Sequence, residues 1–454
     1  MHVHFVGIGG AGQRAVAELL LGRGSRVSGS DVQASAILDD LRQRGANVMV
    51  GHDARHLGDA DMVVTSSAVP EVNPEIQAAR LRGIPVLKNA EMLGRLMVGK
   101  RGIAVAGTHG KTTTASMLAW VVTDAGLDPD VVVGGEVRNL GCSGRGGSGE
   151  FFVIEADEYD RRFHAFHPEM AILTNVDVDH LDYYGSEDAM RASYRQFVRD
   201  LPVHGVLVAC ADNMGSRSLA GDVQAQTALY GLDASLEPDW TARNLDFQPD
   251  RTTFDAYHHG TAVGRFSLQI PGRHNVSNAL AVIAVATHIG VSLPNLQSSL
   301  GTFQGVRRRM EVLGCTNETE VIIDYAHLPA ELQVTIAAAR QRHPKRLWAC
   351  FQPHTYARTE LLMDEFVEAF DGSDLVVITG TYVPPGREVP HGDAAARELA
   401  DRIRSRTGAC TYLATIPLLA DYLTTHIQPR DTILLLGAGN IPDAGRTVLE
   451  RGSA

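Results

Sequence analysis

Short apolar runs recur along this chain, each followed by a polar cluster and then a segment of helical period, and this alternation constrains the fold more than any other feature. The runs fall at 3–6, 62–65, 103–106, 151–154, 171–173, 321–323, 347–351, 375–378 and 433–436. Strands alternating with helices specify an α/β fold of parallel sheets with crossover helices. In open sheets of this kind ligands gather outside the carboxyl ends of the strands. Those ends carry the polar stretches 107–111, 155–158, 175–180, 324–327, 352–358 and 437–440. A chain of 454 residues exceeds one ordinary core and accommodates about three domains at ~150 residues each. Stretches 91–100 and 300–308 read as connections, which sets the expected domains at 1–97, 98–306 and 307–454.

Composition narrows the function classes. A formal net charge of -12 opposes nucleic-acid binding, so an anionic ligand must be held by local arginines, helix N-termini and a metal. The five cysteines (Cys142, Cys210, Cys315, Cys350 and Cys410) contain no Cys-x-x-Cys pair, which fits neither a disulfide scaffold nor a zinc knuckle. With no long apolar run and no charged-then-apolar leader, the expectation is a soluble cytoplasmic protein without a membrane partner. Only Lys88, Lys100, Lys111 and Lys345 occur among 41 basic residues, so a lysine inside a glycine loop stands apart from surface arginines.

That lysine closes the run Ile103-Ala-Val-Ala-Gly107-Thr108-His109-Gly110-Lys111-Thr112-Thr113. A strand, a glycine turn, a lysine and hydroxyl residues supply the backbone N–H groups, point charge and metal-binding oxygen that a nucleoside triphosphate needs. Val105 stands where the general P-loop has its first glycine, and taken alone the stretch also fits an ordinary strand-to-helix turn. Upstream, Gly7-Ile-Gly9-Gly10-Ala-Gly12 follows one strand-like run, and Asp31 ends the next, 26–30. This is the dinucleotide fingerprint, and a nucleotide sugar presents the same pyrophosphate and ribose as a nicotinamide cofactor. Downstream, Glu155, Asp157, Glu158 and Asp160 crowd one strand end. Such density is costly unless a cation neutralises it, and Mg2+ prefers oxygen ligands shared with phosphates. A solvated acidic turn with Asp157 or Asp160 capping a helix is the alternative. Asn175, Asp177, Asp179, His180 and Asp182 repeat the layout, although His180 serves equally well as a core histidine bonded to Asp182.

In order and spacing, these segments together resemble the Mur ligases of peptidoglycan synthesis. The resemblance extends through Ser30-Asp31, Ser66-Ser67-Ala68, Gly272-Arg-His274-Asn275, Arg308-Arg309, Asp324-Tyr-Ala-His327, Gln352-Pro-His354-Thr-Tyr-Ala-Arg358 and Gly437-Ala-Gly-Asn440, and so spans the chain. It implies a Rossmann-like N-terminal domain for a UDP-sugar, a central P-loop ATPase-type domain, and a C-terminal Rossmann-like domain that takes the amino acid and closes on ATP. The implied reaction joins L-alanine to UDP-N-acetylmuramate through an acyl phosphate, with ATP as substrate, Mg2+ or Mn2+ as metal, and a monomer or weak homodimer as the working form. On this reading Gly7, Gly9, Gly10, Gly12, Asp31, Ser66 and Ser67 bind the UDP-sugar. ATP falls to Gly107, Thr108, His109, Gly110, Lys111, Thr112, Thr113, Asn275 and Asp324. Thr112, Glu158 and His180 ligate metal, and Lys111, Glu158, His180 and Arg309 carry the chemistry, with Arg307 and Arg308 as surface charges. His327, His354 and Arg358 take the amino acid.

Three positions depart from the resemblance: Leu328 replaces a second histidine, Asn89 replaces an arginine before Ala-Glu-Met-Leu, and Cys142-Ser143-Gly144 replaces an asparagine-containing turn. They bear on the acceptor, for which glycine and L-serine compete with L-alanine by about 1–3 kcal/mol of methyl-pocket energy. The rival readings are a ligase for a recycled tripeptide, a nicotinamide dehydrogenase built on the first glycine turn, and a non-catalytic nucleotide-binding regulator.

Overall fold

Aliphatic runs unbroken by polar residues suit strands covered on both faces, because parallel sheets bury both sides beneath crossover helices. A computed structural model describes residues 1–66, 68–248, 251–383 and 392–452, and in it these runs form three sheets. The first contains β1 (His2–Val6), β2 (Arg26–Asp31), β3 (Asn47–Val50), β4 (Met62–Thr65) and β5 (Val86–Lys88). Its order is β3-β2-β1-β4-β5, parallel throughout. The strand order reverses between β1 and β4, where Val6 pairs with Thr65, so Gly7 and Ser66 emerge side by side at the switch point.

The second sheet contains β6 (Arg101–Ala106), β7 (Asp130–Val137), β8 (Cys142–Arg145), β9 (Phe151–Glu155) and β10 (Met170–Leu173). It continues with β11 (Val206–Cys210), β12 (Gln226–Gly231), β13 (Trp240–Phe247), β14 (Thr252–His258) and β15 (Thr261–Leu268). In the order β15-β14-β13-β12-β11-β10-β6-β9-β7-β8, β6 lies between β10 and β9, parallel to both. The polar residues after β6, β9 and β10 therefore share one edge. The third sheet contains β16 (Glu311–Thr316), β17 (Thr319–Asp324), β18 (Leu347–Phe351), β19 (Leu375–Thr379), β20 (Cys410–Leu413) and β21 (Thr432–Leu436), in the order β16-β17-β21-β18-β19-β20.

The sheets are not wholly parallel, contrary to the sequence expectation: β8 runs antiparallel to β7 and β16 to β17. The second pair is joined by Asn317 and Glu318, at φ 46° and 60°, a tight connection that only antiparallel strands accept. The stretch 91–100 is largely helical and not an irregular linker, since Asn89–Met97 forms a helix. Glu91 accepts the Lys88 N–H at 2.7 Å, and Met92, Leu93 and Met97 bury one face, so both cap and stripe favour the helix.

The chain divides into two compact units. The first comprises 1–245, 254–267 and 276–306. One buried cluster runs through it without a break, from Val3 and Phe5 in β1 to Leu207 and Ala209 in β11. Within it the helix Ala11–Gly22 packs on β7 and β8. Gly144 permits that approach, since a Cβ there would stand 1.7 Å from the Ala15 carbonyl oxygen. The buried Glu18 carboxylate accepts from Ser143 N, Ser143 Oγ and Gly144 N, each at 2.8 Å. The 142–144 segment is thus a strand that seats the first helix. The second unit comprises 246–253, 268–275 and 307–454, and the third sheet has a separate apolar cluster on each face, around Phe351 and around Trp348. Among the described residues no helix is long and apolar enough to cross a membrane.

Candidate active site

The turn after β6 is built by glycines that other residues would strain. Gly107 and Gly110 sit at φ 136° and 79°, and a Cβ on Gly107 would stand 2.0 Å from Thr174 Oγ1. Gly110 caps the helix Lys111–Asp124, which starts the Lys111, Thr112 and Thr113 backbone at a helix N-terminus. The neighbouring end of β10 clamps the loop. Thr174 Oγ1 donates to the His109 carbonyl at 2.7 Å, the Asn175 amide bridges His109 N and O at 2.7 and 3.0 Å, and Thr108 Oγ1 donates to Asp177 O at 3.0 Å. Thr174 and Asn175 drew no role from the sequence, although their place at a strand end beside β6 signalled one.

Lys111 Nζ donates to Gly107 O at 2.6 Å and Thr108 O at 3.1 Å, and reaches Glu158 Oε2 at 2.8 Å. Burial alone would lower the ammonium pKa, but the charges of Glu158, Asp157 and Glu155 outweigh it and hold it above the usual value. Burial also raises Glu158, against the pull of Lys111. Thr112 Oγ1 donates to Glu155 Oε1 at 2.8 Å, and Glu155 Oε2 accepts from Gly134 N at 2.5 Å. Asp157 accepts from Tyr159 N at 3.2 Å and faces Arg162 at 3.4 Å. Within the acidic stretch Glu158 thus has a cationic partner in Lys111 and Asp157 a looser one in Arg162, while Glu155, among the described residues, accepts only from neutral donors.

His180, at φ 54°, turns toward these acids: its Nε2 stands 3.9 Å from Glu158 and 3.5 Å from Asp179. One ligand atom each from Glu158, Asp179 and His180 lies within 4.8 Å of the others. His180 Nδ1 is buried without a hydrogen-bond partner among the described residues. The two carboxylates suit Mg2+ or Mn2+, and the imidazole adds a nitrogen ligand of the kind transition metals take more readily than Mg2+. Asp179 is the member of this group that the sequence reading did not select.

At the switch point of the first sheet, Gly7 sits at φ 79° and Asp31 accepts the Gly9 N–H at 2.9 Å. Gly10 caps the helix Ala11–Gly22 with no side-chain bond, and Gly12 lies beside Asn89, whose Nδ2 donates to the Gly12 carbonyl at 3.0 Å. Ser66 lines the adjoining cleft, whereas Ser67 lies outside the described residues.

In the second unit Asp324, at the end of β17, accepts from Met310 N at 2.7 Å and Ala326 N at 2.8 Å. Burial raises its pKa, opposed by Arg309. Arg309 stacks over Tyr325 at 5.2 Å. Arg308 is not a surface charge: it donates to the carbonyls of Gly437 and Gly439 at 2.8 Å each and thereby ties down the last glycine turn. Arg307, paired with Glu311 at 2.6 Å, does lie at the surface. Asn275 Nδ2 donates to Pro271 O at 2.6 Å, and burial lowers the pKa of the adjacent His274 to about 4, keeping it neutral. The His327 and His354 rings meet edge to face at 5.4 Å. Burial lowers the His327 pKa, with the charge of Arg358 acting in the same direction, and Arg358 Nη1 is buried without an acceptor among the described residues. His327, His354 and Arg358 thus share one neighbourhood, with a guanidinium donor available in it. Gln352, by contrast, is structural, bonded to Asn440 Oδ1 and Ile441 N at 3.0 and 3.1 Å.

Comparison with known proteins accounts for all three sheets. Residues 2–101 match the Mur ligase family catalytic domain, 105–286 the Mur ligase middle domain, and 308–439 the Mur ligase glutamate ligase domain. The chain is 41% identical over 99% of its length to the UDP-N-acetylmuramate–L-alanine ligase of Syntrophus aciditrophicus, of which it covers 93%. It superposes with a TM-score of 0.85 and 28% identity on the UDP-N-acetylmuramate-alanine ligase MurC of Thermotoga maritima, covering 100% of this chain and 99% of that one. A murein peptide ligase from Psychrobacter arcticus gives 0.73 and 26%, over 100% and 98%. With a lysine loop facing a carboxylate–histidine cluster, and with relatives matched from end to end, the chain belongs to the Mur ligase family.

Proposed function

We propose that this chain is an ATP-dependent ligase joining L-alanine to UDP-N-acetylmuramate, with residues 1–97, 98–306 and 307–454 as its three working segments. The observation that carries the ligase chemistry is the Lys111 ammonium held by two loop carbonyls and Glu158 beside Asp179 and His180. The alanine acceptor is supported by the 41% identity to UDP-N-acetylmuramate–L-alanine ligases over the whole chain, together with a superposition better than that on the murein peptide ligase.

A carboxylate is a poor electrophile, so ATP supplies the activation. A lactyl carboxylate oxygen bonds to the γ-phosphorus as ADP leaves. The neutral amino-acid amine then forms the C–N bond, the acyl C–O bond breaks to release phosphate, and the nitrogen loses one proton to leave the amide N–H. Most of the catalysis is positioning and charge neutralisation. Lys111, kept protonated by the acids around it, holds the β- and γ-phosphates over the helix N-terminus at 111–113. Glu158, Asp179 and His180 would hold a divalent metal, with Thr112, whose hydroxyl donates to Glu155 and so keeps its lone pairs for a cation. Bound there, Mg2+ would offset the repulsion between two anionic substrates. Arg309 meets the phosphates, Asn275 the adenine and Asp324 the ATP ribose. Arg358, beside His327 and His354, takes the amino-acid carboxylate.

One assay tests this reading: ATP, Mg2+ and UDP-N-acetylmuramate are supplied with single amino acids or with a tripeptide and phosphate release is followed, beside a parallel incubation with NADH. Release with L-alanine is expected. Release only with a tripeptide would transfer the assignment to the recycling ligase, and a change in NADH absorbance would point to a dehydrogenase.

A further inference from the structure

Within the first unit, a cleft of about 140 Å3 separates the helix Asn89–Met97 from the short helical segment Tyr159–Ala165. Lys88, Arg161 and Arg162 line it, against the carboxylates of Glu91 and Asp160. Three cationic side chains against two carboxylates, one of them held by the Lys88 N–H, leave the lining net positive, which favours an anion. Asp160 and Arg161 are consecutive left-handed residues, at φ 56° and 52°. Such a pair is strained and persists where surrounding structure enforces it. This reversal sends Phe163 into the core and brings Arg162 to the crevice of the first sheet.

There Arg162 Nη2 donates to Asn89 Oδ1 at 3.1 Å and lies 3.4 Å from where a Cβ on Gly12 would stand. Asn89, only 4% exposed, is itself fixed through Nδ2 to Gly12 O at 3.0 Å and Gln13 Oε1 at 3.1 Å. Nη1 approaches Asp157 at 3.4 Å. These contacts use two of the five guanidinium donors and set the fork over the last glycine of the turn. Asn89, the position where the resemblance calls for an arginine, thus acts here as the acceptor that aims an arginine from another sheet.

We propose that Arg162 is a substrate-contacting residue whose guanidinium binds an anionic group of the UDP-sugar, either its diphosphate or its lactyl carboxylate, with Asn89 as the positioning residue. This inference rests on the ligase reading and specifies who holds the sugar substrate. A guanidinium matches either anion bidentately, and the same side chain ties sugar binding to Asp157, next to Glu158.

The test is calorimetric and kinetic, on the full chain. Arg162→Ala should weaken UDP-N-acetylmuramate binding and raise its KM about tenfold to a hundredfold, with a smaller change in kcat and in the ATP KM. Adding Asn89→Arg to that variant should restore much of the loss, a rescue that a merely structural arginine would not show. UDP-N-acetylglucosamine, which lacks the lactyl carboxylate, separates the two anions: weakening of both sugars identifies the diphosphate, and weakening of the muramate alone identifies the carboxylate. If Arg162→Ala binds UDP-N-acetylmuramate as tightly as the wild type, or loses ATP binding equally, the inference is overturned while the ligase reading stands. A wild-type chain that binds no UDP-sugar and turns over none would overturn both.

Discussion

Lys111 and Glu158 stabilise one another in a setting where neither would be tolerated alone, since their side chains are only 13% and 1% exposed. Removing one partner of such a pair leaves a buried charge uncompensated, at a typical cost of about 3–5 kcal/mol. Lys111→Met should therefore destabilise the fold by an amount in that range, and Lys111→Met combined with Glu158→Gln should recover most of it, as read by urea unfolding. Both variants should lose turnover by at least about a hundredfold, since a positioned charge on the transferring phosphoryl group is gone. Recovery of stability without recovery of rate would separate the two roles of the pair; a single mutant as stable as the wild type would show the pair to be unimportant for folding. A second buried carboxylate behaves differently. Glu75, fully buried, accepts from Ser30 Oγ at 2.6 Å, meets His56 and His52 at 2.9 and 3.3 Å, and lies 3.6 Å from His4. Burial would raise its pKa, but His4 and Ser30 lead the groups that bring it down to about 2 from the usual 4.5. A depressed carboxylate contributes stability that is fully present above the unfolded value and lost as pH falls through the folded one. Glu75→Gln should lower the unfolding midpoint by a constant margin from neutral pH down to about 4.5, and the margin should close as pH approaches about 2. A margin that widens as pH falls from about 4.5 to about 2 would contradict a depressed Glu75 carboxylate.

Elements, more than single residues, were legible in the sequence. Unbroken apolar runs such as 347–351 gave strands with the expected bounds, because strands buried on both faces carry no polar residue to blur them. The antiparallel β8 and the strands β14 and β15 were not legible: β14 and β15 carry no unbroken apolar run, and β8, Cys142–Arg145, is built of small residues and an arginine. Its pairing is determined by a contact distant in sequence, the helix Ala11–Gly22 lying against it, and residue patterns do not encode such contacts. The candidate site divides in the same way. Glycines, Lys111 and Glu158 stood out because their chemistry is local, whereas Asp179, Thr174 and Arg162 are brought to the candidate site only by a neighbouring strand or helix. Gly144 tests this level. A methyl group there meets the Ala15 carbonyl at 1.7 Å, and backbone cannot yield as a flexible side chain does. Gly144→Ala should push the helix Ala11–Gly22 off β8, lower Tm by several degrees and weaken UDP-sugar binding, because Gly9–Gly12 enter that helix. Unchanged Tm together with unchanged sugar affinity would mean that the helix is seated elsewhere.

For the whole molecule, the first two sheets share one continuous buried cluster from β1 to β11, whereas the third has clusters of its own on its two faces. Sequence patterning located the sheets well but gave no sign of this sharing, because a strand reads the same whether its covering helix belongs to its own sheet or to the next. The division into two units has a thermodynamic consequence. Multidomain chains depart from a single all-or-none transition, and each unit here has the buried apolar surface to melt cooperatively by itself. The residues assigned to the UDP-sugar, Gly7 through Gly12, Asp31, Ser66 and Arg162, all belong to the first unit, whereas His327, His354 and Arg358 belong to the second. A ligand stabilises only the folded state that binds it, by about 2.7 kcal/mol at a free concentration about 100 times its Kd. Scanning calorimetry should resolve two transitions, and UDP-N-acetylmuramate without ATP should raise the one belonging to the first unit and leave the other in place. Assignment is direct, because Gly144→Ala lowers the first-unit transition alone. A single transition that shifts as a whole with the sugar would show that the units melt as one cooperative body.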